Sequence, residues 1–140
     1  VESAAGVIPA VLFPDNFFCL GTDWSGRMDF YFACTDMRPS DLAICLNAWC
    51  FEADISFNVT KARTMLGADA QLRPLNEAEF EALPILARGA AMRFLLTRLY
   101  DWIHTPKDAL VRPHNPVEYV KKLRFHQHVR NAREYGLDHN

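Results

Sequence analysis

The sequence predicts a mostly helical α+β domain that opens with a small β-hairpin region. Short apolar runs separated by turn residues fill the first 30 positions. Beyond position 40, apolar side chains recur at three- to four-residue steps between cap and stop signals. With 140 residues, half of them apolar, the chain can close a sizeable core, so residues 1–140 are expected to form a single domain.

The elements follow in order. Gly6-Val7-Ile8 is a short apolar run. Phe17-Phe18-Cys19-Leu20 is a second, closed by a turn at Gly21-Thr22-Asp23, and Gly26-Arg27-Met28-Asp29-Phe30 is a third. Three strands this short are marginal alone and need something larger to pack on. Asp41 is a good N-cap for a helix carrying Leu42, Ile44, Cys45, Leu46, Trp49 and Cys50, apolar nearly all round and therefore buried. A second helix is expected from Val59 to Ala70. Asn76-x-x-Glu79 reads as a capping box opening a short helix that stops before Pro84. A long helix is expected from Pro84 to Ile103, with Leu86, Ala90, Phe94, Leu95, Leu99 and Trp102 facing inward. Residues 105–115 contain three prolines and form a loop. Asn115-Pro116-x-Glu118 starts a last helix, which Gly136 closes.

Composition excludes several classes. Fifteen basic residues against seventeen acidic ones leave −2, which is no footprint for nucleic acid. The seven basic residues between 107 and 133 read as a solvated helix face. No apolar run approaches the roughly 20 residues of a membrane span, and the first 15 residues show no basic n-region of a signal peptide. The four cysteines form no CxxC and sit among apolar neighbours, as small buried hydrophobes do in a reducing compartment. His126 and His128, two apart, point away from each other on a helix, and no Cys/His cluster suggests zinc. Asn58-Val59-Thr60 matches a glycosylation sequon that nothing else in the sequence supports. The chain opens with Val1 rather than Met, as a fragment or a processed product would.

The sharpest chemical signal lies near the start. Residues 9–16 read Pro-Ala-Val-Leu-Phe-Pro-Asp-Asn, and thirteen residues after Asn16 a short apolar strand delivers Asp29. A loop amide oxygen and a strand-end carboxylate suit a hard cation and leave coordination positions for phosphate and water, as in kinases.

The words LFPDN, DFYFACTD, DLAICLNAWCFE, FNVTKAR, ARGAAMRFLLTRLYDW and LRFH resemble the homoserine kinase family of the aminoglycoside/choline phosphotransferase superfamily. The resemblance runs over nearly all of the chain and is most specific from Asp29 to Glu52 and from Ala87 to Trp102. It implies the C-terminal lobe of a protein-kinase-like fold, without the N-terminal nucleotide-binding lobe. It also implies ATP and Mg2+ as cofactors, with Asn16 and Asp29 on the metal, and places Asp41 as a structural brace of the catalytic loop. The parent reaction would make O-phospho-L-homoserine in cytoplasmic threonine biosynthesis.

One part of the family pattern is missing. The catalytic loop of these enzymes reads His-x-Asp-x-x-x-x-Asn, and aligning it on Asn16 puts the base at Val11 and the histidine at Pro9. Valine accepts neither a proton nor a hydrogen bond, and proline removes a backbone donor. A lost general base typically costs about 10²–10⁴ in rate. Each departure is one nucleotide change from the pattern; decay, deliberate removal and misreading all fit.

Homoserine carries a carboxylate and an ammonium, which call for a cation and an acceptor. Arg88 and Arg93 are the candidates for the carboxylate, and Asn47 and Glu52 for the rest of the cavity, against a plain reading as surface ion pairs and core packing. The first expectation is thus a homoserine-kinase-like phosphotransferase that is inactive as this piece. The alternatives are a pseudokinase-like binding module and a kinase for choline or an aminoglycoside. A face left without its N-terminal lobe, including Val7, Ile8, Phe17 and Phe18, would favour self-association.

Overall fold

The computed structural model describes residues 5–8, 13–27 and 34–137, with side chains at 13–15, 19–23 and 38–137. Mostly helical architecture holds. Among the described residues four strands form two antiparallel pairs: β1 (Ala5–Ile8) with β4 (Cys34–Met37), and β2 (Phe17–Leu20) with β3 (Asp23–Arg27). The β2–β3 hairpin turns at Gly21, whose φ of +66° suits a residue without Cβ. The third expected strand starts earlier than its apolar run suggests, and Met28-Asp29-Phe30 lies outside the described residues. β4, with only Cys34 and Met37 apolar, is not among the expected strands; it pairs with β1, about thirty residues away.

Four helices carry the core: α1 (Pro39–Trp49), α2 (Val59–Leu72), α3 (Glu77–His104) and α4 (Val117–His128). Helix α1 begins at Pro39, not after Asp41, because proline's fixed φ and missing N–H suit the first helical position. Asp41 therefore sits in the first turn, where a carboxylate still favours the positive end of the helix dipole. Asn58 caps α2 by accepting from the Lys61 backbone N–H at 3.0 Å and gives its amide to Glu52 at 2.6 Å. That double use explains the sequon-like triplet structurally.

The capping box at Asn76 and Glu79 is present in both directions. The helix it opens does not stop at Pro84. A single 28-residue helix runs through the proline, correcting the expected break. Proline costs one intrahelical hydrogen bond here, but Phe80, Leu83, Pro84 and Ala87 share one buried stripe, and their burial keeps the helix continuous. At the other end, α4 stops at His128, and Gly136 closes a separate 3-10 turn, Ala132–Tyr135, with φ +86°. That turn folds back so that Ala132 and Tyr135 join the core of α1, α2 and α3.

A second, smaller cluster joins Ile44 of α1, Ala91 and Phe94 of α3, and Tyr119 of α4. Phe13 packs on it, its ring edge-on to Phe94 at 4.7 Å. The far half of α3 departs from expectation: Leu99 and Trp102 are exposed, and Phe94 is the last buried apolar side chain of that helix.

Candidate functional site

Phe13 positions the segment that leads into the Asn16 turn. Its ring is held against α3, and Pro14–Asn16 follows at once as a 3-10 turn feeding β2. Asn16 follows three residues after that contact in the chain; its side chain, and all of Pro9, Val11 and Asp29, lie outside the described residues. Among the described residues no group of three or more His, Cys, Asp or Glu side chains could hold a metal.

Four other expected site residues fall in three different places. Asn47 is completely buried in α1. Both of its amide hydrogens are used, on the carbonyls of Ala43 (2.9 Å) and Ala87 (3.1 Å). Its Oδ1 lies 3.2 Å from His126 Nε2. An amide oxygen only accepts, so Nε2 carries the proton and Nδ1 accepts from the Tyr135 hydroxyl at 2.7 Å. Arg88 belongs to the same place. It donates to the carbonyls of His126 (3.0 Å) and Val129 (2.8 Å), tying α3 to the end of α4. Both residues therefore brace the core.

Glu52 lies at the rim. It pairs with Lys61 at 2.8 Å and accepts from Asn58. The hydrogen bonds from Lys61 and Asn58 hold its carboxyl below the usual range. Lys61 also borders an open groove of about 620 Å³ between α1 and α2, lined mainly by apolar atoms of Cys45, Trp49, Cys50 and Met65. Cys50 is buried there, and burial pushes its thiol up to about 11, so it remains protonated near neutrality. Cys19, by contrast, is exposed, which corrects the expectation that the cysteines are all interior.

Arg93 takes the third place. It is exposed on α3, its guanidinium 4.9 Å from the centre of the Phe94 ring, the same ring that receives Phe13. Of the candidates for a substrate carboxylate, Arg93 is the one set beside the docked segment.

Sequence reading missed a charged network under α4. Lys122 sits within the expected solvated face, yet it is buried and bonds Glu118 at 2.6 Å and the Asn47 carbonyl at 2.7 Å. Arg98 reaches the other Glu118 oxygen at 2.7 Å. The Tyr119 ring lies between the two cations, 4.5 Å from Arg98 and 4.7 Å from Lys122. Burial pushes the Glu118 carboxyl up, but hydrogen bonds from Lys122 and Arg98 reverse this and leave it below the usual range. The Glu118–Lys122 spacing of four was the legible signal; burial was not.

No protein-family profile matches the chain. Individual relatives do. A homoserine kinase of Bradyrhizobium sp. (strain ORS 278) is 64% identical over 132 residues, 94% of this chain and 41% of the relative. One from Bradyrhizobium diazoefficiens is 65% identical over 132 residues, 94% of this chain and 40% of the relative. A third, from Azorhizobium caulinodans, is 62% identical over 133 residues, 95% of this chain and 41% of the relative. The chain thus spans about two fifths of the length of the relatives it matches.

Proposed function

We propose that this chain is the C-terminal lobe of a protein-kinase-like phosphotransferase that moves the γ-phosphate of ATP to the hydroxyl of L-homoserine, in cytoplasmic threonine biosynthesis. The observation that carries this reading is identity above 60% to homoserine kinases along nearly the whole chain. The amide oxygen of Asn16 and the carboxylate of Asp29 would hold Mg2+, which would neutralise charge on the phosphates. Phe13 fixes the segment entering the Asn16 turn, and Asp41 braces the start of α1. Arg93 offers the cation for the substrate carboxylate and Glu52 the acceptor for its ammonium. Asn47 and Arg88 act behind them, holding α1, α3 and α4 in place.

In the reaction the substrate oxygen bonds to the γ-phosphorus, the bond to ADP breaks, and the hydroxyl proton must leave. Val11 stands where the base would take that proton, and Pro9 replaces the histidine of the loop pattern. Phosphoryl transfer relies on positioning and charge stabilisation from both lobes. The 140-residue chain alone is therefore expected to release no ADP above background with ATP and homoserine. In a chain completed with a relative's N-terminal lobe, Pro9→His with Val11→Asp should raise the rate by about 10²–10⁴. Turnover by the isolated chain would defeat this reading.

Val11 and Pro9 favour a second reading, a pseudokinase-like module that binds but does not catalyse. It predicts no gain from the double restoration, with ligand-dependent thermal stabilisation retained. Ranking homoserine, choline and an aminoglycoside by that stabilisation separates the substrate classes within the superfamily.

A further inference from the structure

We propose that the loop joining α3 to α4 forms a binding site for a small organic anion with a flat ring, an aromatic phosphate or carboxylate. The loop turns back at the end of α3. The Thr105 N–H donates to the Asp101 carbonyl at 2.8 Å, and the Ala109 N–H to the Pro106 carbonyl at 3.1 Å. Trp102, Pro106, Lys107, Arg112, Pro113 and Asn115 line a cavity of about 570 Å³ there. That volume lies in the range of small-molecule sites. Pro106 and Pro113 fix φ in two of its walls, so little backbone freedom remains to be lost on binding.

The lining selects the ligand. No carboxylate side chain borders the cavity. Lys107 and Arg112 are exposed, and neither forms an ion pair with a described residue. Asn115 spends its Oδ1 on the Val117 N–H at 2.9 Å, which leaves its amide hydrogens without an acceptor among the described residues. An ammonium, a guanidinium and an amide are donors for the oxygens of an anion, and the guanidinium fork takes two of them at once. The Trp102 indole is 51% exposed and stacks on no described ring or cation, so its face is open to a planar group. A cationic ligand would meet two like charges, and an apolar one would leave the donors dry and unpaired. None of these residues is among those assigned to magnesium or homoserine, so the site stands or falls apart from the phosphotransferase reading.

Titration of the 140-residue chain with phenyl phosphate, followed by NMR at the Trp102 indole N–H, tests the proposal. Trp102→Phe identifies that signal among the three tryptophans. Saturation with a Kd of about 1 mM or tighter is expected. Inorganic phosphate, which lacks the ring, and benzyl alcohol, which lacks the charge, should each bind about 10-fold more weakly or worse. Lys107→Gln with Arg112→Gln should weaken phenyl phosphate by about 10-fold or more, whereas Arg130→Gln, at an exposed cation beyond α4, should leave it unchanged. Benzoate in place of phenyl phosphate distinguishes carboxylate from phosphate, and saturation by either supports the site. No saturable shift of Trp102 up to about 10 mM of either compound overturns the proposal. So does an affinity indifferent to the double substitution, an equal loss with Arg130→Gln, or equal binding of inorganic phosphate.

Discussion

His126 shares its ring nitrogens between Tyr135 and Asn47, with two cations nearby. Burial, then the Lys122 and Arg88 charges, depress its pKa to about 3. A histidine whose folded pKa lies below its unfolded value of about 6.5 stabilises the fold above that value and loses the contribution as pH falls. Between about pH 6.5 and pH 4.5, stability should fall by up to about 1.4 kcal/mol per pH unit. Urea unfolding across that window measures the slope, and His126→Gln should flatten it. Lower still, Glu52 begins to lose its hydrogen bonds, so acid unfolding below pH 4.5 has a second source. Glu118 behaves differently because its value lies in holding other charges. Glu118→Ala leaves Lys122 buried without its counter-ion and should cost about 3–5 kcal/mol, whereas Glu118→Ala with Lys122→Met should recover most of that loss. Thermal melts of the three proteins decide it. Beyond the four-residue spacing of Glu118 and Lys122, none of this was legible residue by residue: a lysine in a basic run looks solvated until Asn47 and Phe51 are seen to pack around it.

At the scale of elements, local rules read well wherever the signal is covalent or close by. The Asn76–Glu79 box is the clearest case, since both partners lie three residues apart and satisfy each other. Asn76→Ala should lower stability by about 1 kcal/mol in urea unfolding. The same rules failed at Pro84, because a proline's local penalty was outweighed by a stripe of buried contacts that the sequence does not reveal. Between Phe51 and Phe57 a tight turn holds Ile55 at φ +66°. A β-branched residue pays a steric penalty there, and the Glu52 backbone accepts from the Ile55 N–H to hold it. Ile55→Gly is expected to stabilise by up to about 1 kcal/mol, and a higher denaturant midpoint is the readout. An unchanged or lower midpoint would show that the partly buried Ile55 side chain outweighs its strain.

For the whole molecule, residues 13–27 meet the helical body through Phe13 on Phe94, a contact that ties the segment nearest Asn16 to α3. Phe13→Ala should therefore do two separable things. It should lower stability by about 3 kcal/mol or less for a partly buried ring, and, in a chain completed with an N-terminal lobe and a restored loop, lower kcat more than it raises KM for homoserine. An unchanged kcat would sever the link between the docking contact and the reaction. The sequence by itself determined that the chain is mostly helical, the Asn76–Glu79 capping box, the turn at Gly21 and the similarity to homoserine kinases, because each depends on neighbours within a few positions or on direct identity. Only the tertiary structure decided that Asn47 and Arg88 are core braces, that Lys122 is buried, that α3 passes through Pro84, and that Arg93 stands beside the docked segment. Those outcomes depend on side chains 20 to 80 residues apart sharing one dry space, and burial changes the energy of a charge or an amide far more than the chain's local pattern records.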